Sequence, residues 1–259
     1  MRSSNPVLTR LTPETAGPPA GASPYGSETY PGVVTAPAVA DRMTVDDVVV
    51  RTAGLLAIVG ISGALAWTMV PDRLLLPVWI GAAMGGLILG LVIAFARIAN
   101  PAVIVPYAIV EGVFVGIVSK FFENQFEGIV LQAALGTFGL FFVMALLYKA
   151  RVIRATPLFV KIVMSALIGV VGLIVLNLVL SLFGINTHLR DGSGLAIVFS
   201  LVVIVIASLT FVLDFAQIEE GVRQGLPKKY AWLSAFGILV GLIWLYLEIL
   251  RLLSYLRDD

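Results

Sequence analysis

The stretch LAIVFSLVVIVIASLTFVL, residues 195–213, contains nineteen residues without a charge and is followed directly by Asp214. At a rise of about 1.5 Å per residue, a helix of this length extends for about 30 Å, which matches the hydrocarbon thickness of a bilayer. The stretch therefore predicts a membrane-spanning helix, with Asp214 at the membrane boundary or just inside it.

Six further apolar runs of similar length lie outside this stretch. Of the 259 residues, 59% are hydrophobic and 13% are charged, and the mean hydropathy is +1.01, well beyond the usage of soluble domains. Alternation of apolar and polar residues with a period of two is absent, which excludes a β-barrel. The sequence predicts an all-α integral membrane protein, a bundle of seven transmembrane helices. The other six runs cover residues 53–70, 74–96, 101–119, 128–148, 162–184 and 231–250.

Residues 1–45 differ in composition from the rest of the chain. They are rich in Pro, Gly, Ser and Thr and contain few large apolar side chains, which is typical of disordered segments. The stretch MTVDDVVVRTAG, which overlaps the end of this segment, predicts the start of the first helix, with Thr44 as its N-cap and Asp46 and Asp47 in its first turn. We therefore predict a disordered cytoplasmic tail, 1–45, and a transmembrane domain, 46–259. The first spanning helix is expected to act as the targeting signal.

Basic residues are distributed unequally between alternate loops. Of the 17 Lys and Arg residues, twelve lie on the side of the amino terminus and five on the opposite side. Because cytoplasmic loops carry an excess of Lys and Arg, the amino terminus is predicted to lie in the cytoplasm. Seven spans then place the carboxyl terminus outside, whereas a re-entrant seventh segment, the alternative, would return it to the cytoplasm.

Several function classes lack the residues that they require. Cysteine is absent, and the single histidine, His188, stands in the polar stretch NTHLRDG, which predicts a solvated loop and not a metal site. HExxH, GxSxG and P-loop motifs and paired aspartates in a GxGD setting are missing, and no lysine follows Lys229 to bind retinal. The net charge of +1 gives no reason to expect nucleic acid. We predict no enzyme and no bound metal or cofactor, with the lipid bilayer as the main partner.

Three acidic residues lie within or at the ends of the apolar runs. A carboxylate there costs at least a few kcal/mol unless it faces the bundle interior or water, so each is a candidate functional residue. Glu111 stands ten residues into its run, near the bilayer centre, and Glu248 precedes Arg251 by three residues, within ion-pair reach on one helical face. Each has a structural alternative: a packing residue for Glu111, a helix-end acid for Asp214, and an outward-extending pair for Glu248 and Arg251.

The second apolar run contains a group of glycines. Gly81, Gly85 and Gly90 follow one another at near-helical spacing, and Gly86 is adjacent to Gly85. Small residues at this spacing allow helix backbones to approach closely inside lipid. The group predicts tight packing within the bundle, and a dimer contact is the alternative.

The motif LDFAQIEEG, residues 213–221, together with the seven runs, resembles the Bax inhibitor family, also called the transmembrane Bax inhibitor motif proteins, and within it the bacterial YccA-like branch. The similarity is carried by Asp214, Ile218 and Gly221, by the basic loop that follows and by a last helix ending in Leu and Arg. The resemblance implies a multi-pass protein of the bacterial inner membrane in which six helices surround a central seventh. It also implies that the aspartate on helix six shares a proton with a second acid on helix seven, and that their protonation gates a calcium leak.

The second acid of this pair departs from the family pattern. LYLE, residues 245–248, matches the family's motif in the last helix with Glu248 as the acid. However, Glu248 stands about 26 Å along the seventh helix, across the membrane from Asp214. Aligning the loops instead places Val240 or Gly241 at the position of the family's second acid, and Arg251 near the family's arginine.

Two functions follow as hypotheses. The first is a pH-sensitive cation leak pathway, which transports Ca²⁺, with Asp214 at its cytoplasmic mouth, Glu111 part-way along it, and Glu248 and Arg251 as further candidates. The second is a membrane regulator that conducts nothing and binds other membrane proteins, such as a quality-control protease, as the YccA-like resemblance implies. It would use an exposed helix face or the tail. The sequence leaves the oligomeric state open.

Overall fold

The computed structural model describes residues 42–184 and 189–258; the remainder of the predicted tail, and His188, lie outside the described residues. Seven long helices, each apolar and long enough to cross a membrane, confirm the prediction of an all-α bundle with seven spans. A short 3-10 turn, Asp72–Leu74, joins the first two helices. The helices are α1 (Val45–Met69), α2 (Leu75–Ala96), α3 (Pro101–Gln125), α4 (Ile129–Lys149), α5 (Pro157–Leu182), α6 (Gly194–Arg223) and α7 (Tyr230–Asp258).

Several helices begin at a residue whose side chain caps the first turn. The predicted cap at Thr44 is present: its hydroxyl accepts a hydrogen bond from the backbone N–H of Asp47, whose carboxylate accepts one from the N–H of Thr44. The side chains of Asn100, Thr156 and Ser193 each accept one hydrogen bond from a backbone N–H in the first turn of α3, α5 and α6. Such caps satisfy N–H groups that have no partner within the helix, so these helix starts are encoded locally.

The two ends of the bundle are called here the amino-terminal face, where α1 begins, and the carboxyl-terminal face, where α7 ends. At the amino-terminal face, the Lys228 ammonium lies 3.1 Å from the Asp47 carboxylate. At the carboxyl-terminal face, Arg257 near the end of α7 donates a hydrogen bond to the backbone carbonyl of Glu127, at 2.8 Å. Because α7 is one continuous helix between these contacts, it crosses the whole bundle and does not re-enter.

The described structure begins within the predicted tail. Met43 is only 2% exposed, and its backbone N–H donates to the carbonyl of Leu226 at 2.7 Å. Arg42 forms an isolated β-bridge with Pro227. The residues just before α1 are therefore bound to the loop between α6 and α7.

Helix α7 lies at the centre of the bundle. It packs against α1, α3, α4 and α6, and its largest buried side chains include Leu239, Leu245 and Leu250. Helices α2 and α5 are peripheral, since α2 packs chiefly against α3 and α5 against α6. This arrangement matches the central seventh helix that the family resemblance implies.

Glycines set the closest helix contacts. On α2, a Cβ atom added at Gly85, Gly86 or Gly90 would meet side chains of α3, which confirms tight packing within the bundle at these three positions. A Cβ atom added at Gly81 would have no neighbour within 4 Å. The closest approach lies elsewhere, between α1 and α3. There, a Cβ at Gly116 would lie 2.6 Å from the Cα of Gly63.

Candidate functional site

Asp214 lies inside α6, nine residues before the helix ends at Arg223, or about 13 Å along the helix axis. Its carboxyl faces α7: the Oδ1 atom is 3.9 Å from the position that a Cβ on Gly237 would occupy. In the described parts of the chain, this carboxyl has no hydrogen bond or ion pair. A carboxylate ionised in such surroundings costs several kcal/mol unless water or a cation reaches it.

The residues of α7 that face α6 at this level are glycines. Gly237 faces Asp214, and a Cβ on Gly241 would lie 2.9 Å from the ring of Phe211 on α6. Val240 is 37% exposed and lies on another side of α7. The loop alignment predicts Val240 or Gly241 at the position of the second acid, and the residue that the structure places against Asp214 is Gly237, about one helical turn earlier. An acid is absent at this position of α7.

Glu248 lies far from this level and forms a cluster with Arg251, Arg190 and Ser200, called here the Glu248 cluster. The Ser200 hydroxyl donates to Oε1 of Glu248 at 2.9 Å, and the Arg251 guanidinium donates to Oε2 at 2.8 Å. The Arg190 guanidinium lies 3.8 Å from the same oxygen. The predicted pairing of Glu248 with Arg251 is confirmed, as is the separation of Glu248 from Asp214.

One alternative predicted that the Glu248 side chain extends outward, and the structure shows that this is wrong. The side chain is 2% exposed and points into the bundle, because Ser200 on α6 and Arg190 in the preceding loop both bind its carboxylate. The sequence analysis did not identify these two residues. Ser200 could have been noticed as a polar side chain within an apolar run, but nothing marks Arg190 in its polar loop.

The Glu248 cluster holds two guanidinium groups against one carboxylate. Burial, and secondarily the charge of Arg251, lowers the pKa of Arg190, although a guanidinium keeps its charge at any physiological pH. Within the described ranges, the Nε atom of Arg190 is buried without a hydrogen-bond partner. The cluster joins α6, α7 and the loop before α6 at the carboxyl-terminal face, so it ties this end of the bundle together.

Glu111 lies in a third environment, between α3 and the peripheral helix α2. A Cβ at Gly86 of α2 would collide with its Oε2 atom, so the carboxyl rests directly on the α2 backbone. One turn earlier, Tyr107 points toward α7 and packs edge-on against Phe236, with ring centroids 4.9 Å apart. The structure therefore does not bring Glu111 and Asp214 together, because they occupy different helix interfaces.

Comparison with known proteins agrees with this architecture. Residues 5–258 match the family model described as Bax inhibitor 1 like. The chain belongs to the Bax inhibitor 1 like family. A search of curated proteins found no match. The match extends over all seven helices and confirms the resemblance at the level of the family, while the YccA-like branch stays a prediction.

This Bax inhibitor 1 like protein has an acid, Asp214, on α6 and a glycine, Gly237, opposite it on α7. In the regions that the structure describes, no three His, Cys, Asp or Glu side chains converge as a metal site would require. Asp214, Glu111 and Glu248 lie in three different helix environments, apart from one another.

Proposed function

We propose that this protein lets cations, calcium in particular, leak across a membrane, and that protonation of Asp214 controls the leak. The observation that carries the proposal is the Asp214 carboxyl, which packs against Gly237 between α6 and α7 without an ion pair or hydrogen bond in the described ranges. A neutral carboxyl is compatible with this packing. An ionised one requires water or a cation, and so favours a hydrated, separated pair of helices.

In this proposal, the described conformation is the closed one. Asp214 is protonated and α6 lies against α7, while the Glu248 cluster holds the carboxyl-terminal face together. The amino-terminal face, which carries most of the basic residues, is proposed to lie in the cytoplasm of a bacterial cell. Glu111 takes no part, because it lies between α2 and α3.

Calcium flux into liposomes should depend on pH through Asp214. In reconstituted wild-type protein, we expect flux to rise with increasing pH as the carboxyl ionises and the helices separate. Asp214→Asn cannot ionise, so its flux should stay low at all pH values, at least about tenfold below wild type at pH 8, which corresponds to about 1.4 kcal/mol. A calcium indicator sealed inside the liposomes measures the rate.

Asp46→Asn is the matched control, because Asp46 is an exposed acid near the amino-terminal face, and its flux should equal that of wild type. A companion variant, Gly237→Asp, places a second carboxyl beside Asp214, and the shared proton should move the midpoint of the flux curve to higher pH. The leak proposal fails if wild-type flux never exceeds that of empty liposomes, or if Asp214→Asn reproduces the wild-type curve.

A second candidate function, a regulator that binds another membrane protein, is favoured by α5. Only Val163 and Val170 of this helix are buried. Gly169 and Gly172 are exposed, and a Cβ added at either would meet no atom within 4 Å. Small residues on an open helix face allow a second transmembrane helix to approach closely, so α5 is the surface that such a partner would use.

Substitutions on the exposed glycine face of α5 test the regulator function and leave Asp214 unchanged. Gly169→Leu with Gly172→Leu is expected to abolish co-purification of a membrane protease from the native membrane, because leucine side chains would hold the two helices apart. The matched control is Gly81→Leu with Gly139→Leu, two glycines that are equally open but lie on other helices. Quantitative mass spectrometry measures how much protease each protein captures. Equal capture by wild type and both double variants would contradict the regulator hypothesis.

A further inference from the structure

A groove of about 960 Å³ lies between α1 and α4 at the amino-terminal face. Both helices pack against α7 but not extensively against each other, so the groove is open at the side. Val49 on α1 and Phe142 on α4 are 59% and 60% exposed at its edges. Its walls are apolar along their length, and Leu242 of α7 contributes to its floor. We call this feature the α1–α4 groove.

The mouth of the α1–α4 groove is basic. Lys149, Arg151 and Arg154, at and just beyond the end of α4, contribute to its lining. Glu219 also lies there, and its carboxylate accepts a hydrogen bond from the Tyr148 hydroxyl. Three cations and one carboxylate give the mouth a net positive charge, which favours an anionic ligand group.

A polar group lies deeper in the groove. Thr52, which lines it, is 7% exposed, and its hydroxyl has no hydrogen-bond partner among residues 42–184 and 189–258. It stands about 10 Å along α1 from Val45. A buried hydroxyl without a partner costs free energy, so a ligand that accepts a hydrogen bond at this depth would be stabilised.

We propose that the α1–α4 groove binds one anionic glycerophospholipid. Its phosphate would lie at the basic mouth beside Arg151 and Arg154, and an ester carbonyl would accept a hydrogen bond from Thr52. An acyl chain would extend along Phe138 and Phe141, about 16 Å deep by the rise of α4. A charged headgroup, an ester acceptor and an apolar chain occur in this order in such a lipid, and the groove provides their complements in the same order.

Native mass spectrometry of the full-length protein in detergent tests this assignment. The probes are palmitoyl-oleoyl phosphatidylglycerol and phosphatidylcholine, which have the same acyl chains and differ in headgroup charge. Wild type should bind the first phosphatidylglycerol molecule at least about tenfold more tightly than phosphatidylcholine, since each basic residue near an anionic lipid contributes about fivefold. Equal binding of the two lipids by wild type would overturn the proposal.

The variants separate the groove from general surface charge. Arg151→Asn with Arg154→Gln should reduce the preference to about twofold or less. The control, Arg97→Asn with Lys161→Gln, removes two cations elsewhere on the amino-terminal face. Asparagine replaces both Arg97 and Arg151 because these residues have a positive φ, 49° and 59°, which asparagine tolerates. This control should keep the full preference. An equal loss in both double variants would refute a site in the groove.

Thr52→Val tests the position of the ester group. It removes the hydroxyl with little change in shape, so binding of both lipids should weaken to the same degree, by about threefold or more, while their ratio stays that of wild type. Unchanged binding of both lipids would show that Thr52 takes no part and would overturn the proposed placement. The melting temperature of each variant without added lipid confirms that it is folded.

Discussion

Glu248→Ala should lower the free energy of unfolding of the bundle by about 3 kcal/mol, because the substitution leaves two inward-facing arginines without their carboxylate. The Glu248 side chain is 2% exposed, whereas those of Arg190 and Arg251 are 24% and 28% exposed. Partial exposure lets water reach the unpaired guanidinium groups, so the expected loss is at the lower end of what breaking a fully buried pair costs. Equilibrium unfolding in mixed micelles measures the difference.

Glu248→Gln distinguishes the charge from the hydrogen bonds. Glutamine can accept a hydrogen bond from Arg251 through its oxygen and donate one to the Ser200 hydroxyl through its NH2 group, but it carries no charge. We therefore expect a smaller loss of about 1–2 kcal/mol. Glu220→Ala is the matched control, because Glu220 pairs with Arg223 at the same spacing of three residues but at the surface. That pair should contribute less than about 1 kcal/mol. If Glu248→Ala costs no more than Glu220→Ala, the Glu248 cluster does not stabilise the bundle.

The spans and helix starts were predictable because their signals are local. Run length against bilayer thickness identified all seven helices, and the capping box at Thr44 lies within four residues of sequence. The position of Glu248 along the membrane followed from helix rise alone. Run length, capping residues and helix rise each concern a single helix, and the predictions made from them agree with the structure.

The features that the sequence did not reveal depend on how each helix is rotated about its own axis and on how neighbouring helices are aligned along their length. Glu248 stands between Leu247 and Ile249 in an apolar part of α7, so the sequence does not show that it points inward toward Ser200. The relative position of α6 and α7 is set by their packing, which is why Gly237 and not Gly241 faces Asp214. Arg190 reaches Glu248 from a loop, and its contribution has no periodic signal.

The α1–α3 contact was missed for a related reason. The chain has 25 glycines, and because glycine is frequent in membrane helices generally, its spacing does not reveal which pairs meet. In the structure, Gly63 on α1 meets Gly112 and Gly116 on α3. Backbone approaches backbone there, so neither side has a flexible side chain that could move to accept an added methyl group.

Gly116→Ala should therefore destabilise the bundle by about 1–3 kcal/mol, and Gly116→Leu by more, to the point where folded protein is no longer recovered. A Cβ at position 116 would lie 2.6 Å from the Cα of Gly63, so α1 and α3 must separate and lose packing along their length. Gly139→Ala is the control, since its Cβ would have no neighbour within 4 Å, and alanine there should be neutral or stabilising by up to about 1 kcal/mol. Unfolding in mixed micelles should give opposite signs for the two alanine variants. Equal stability of Gly116→Ala and wild type would mean that α1 and α3 do not approach as closely as described.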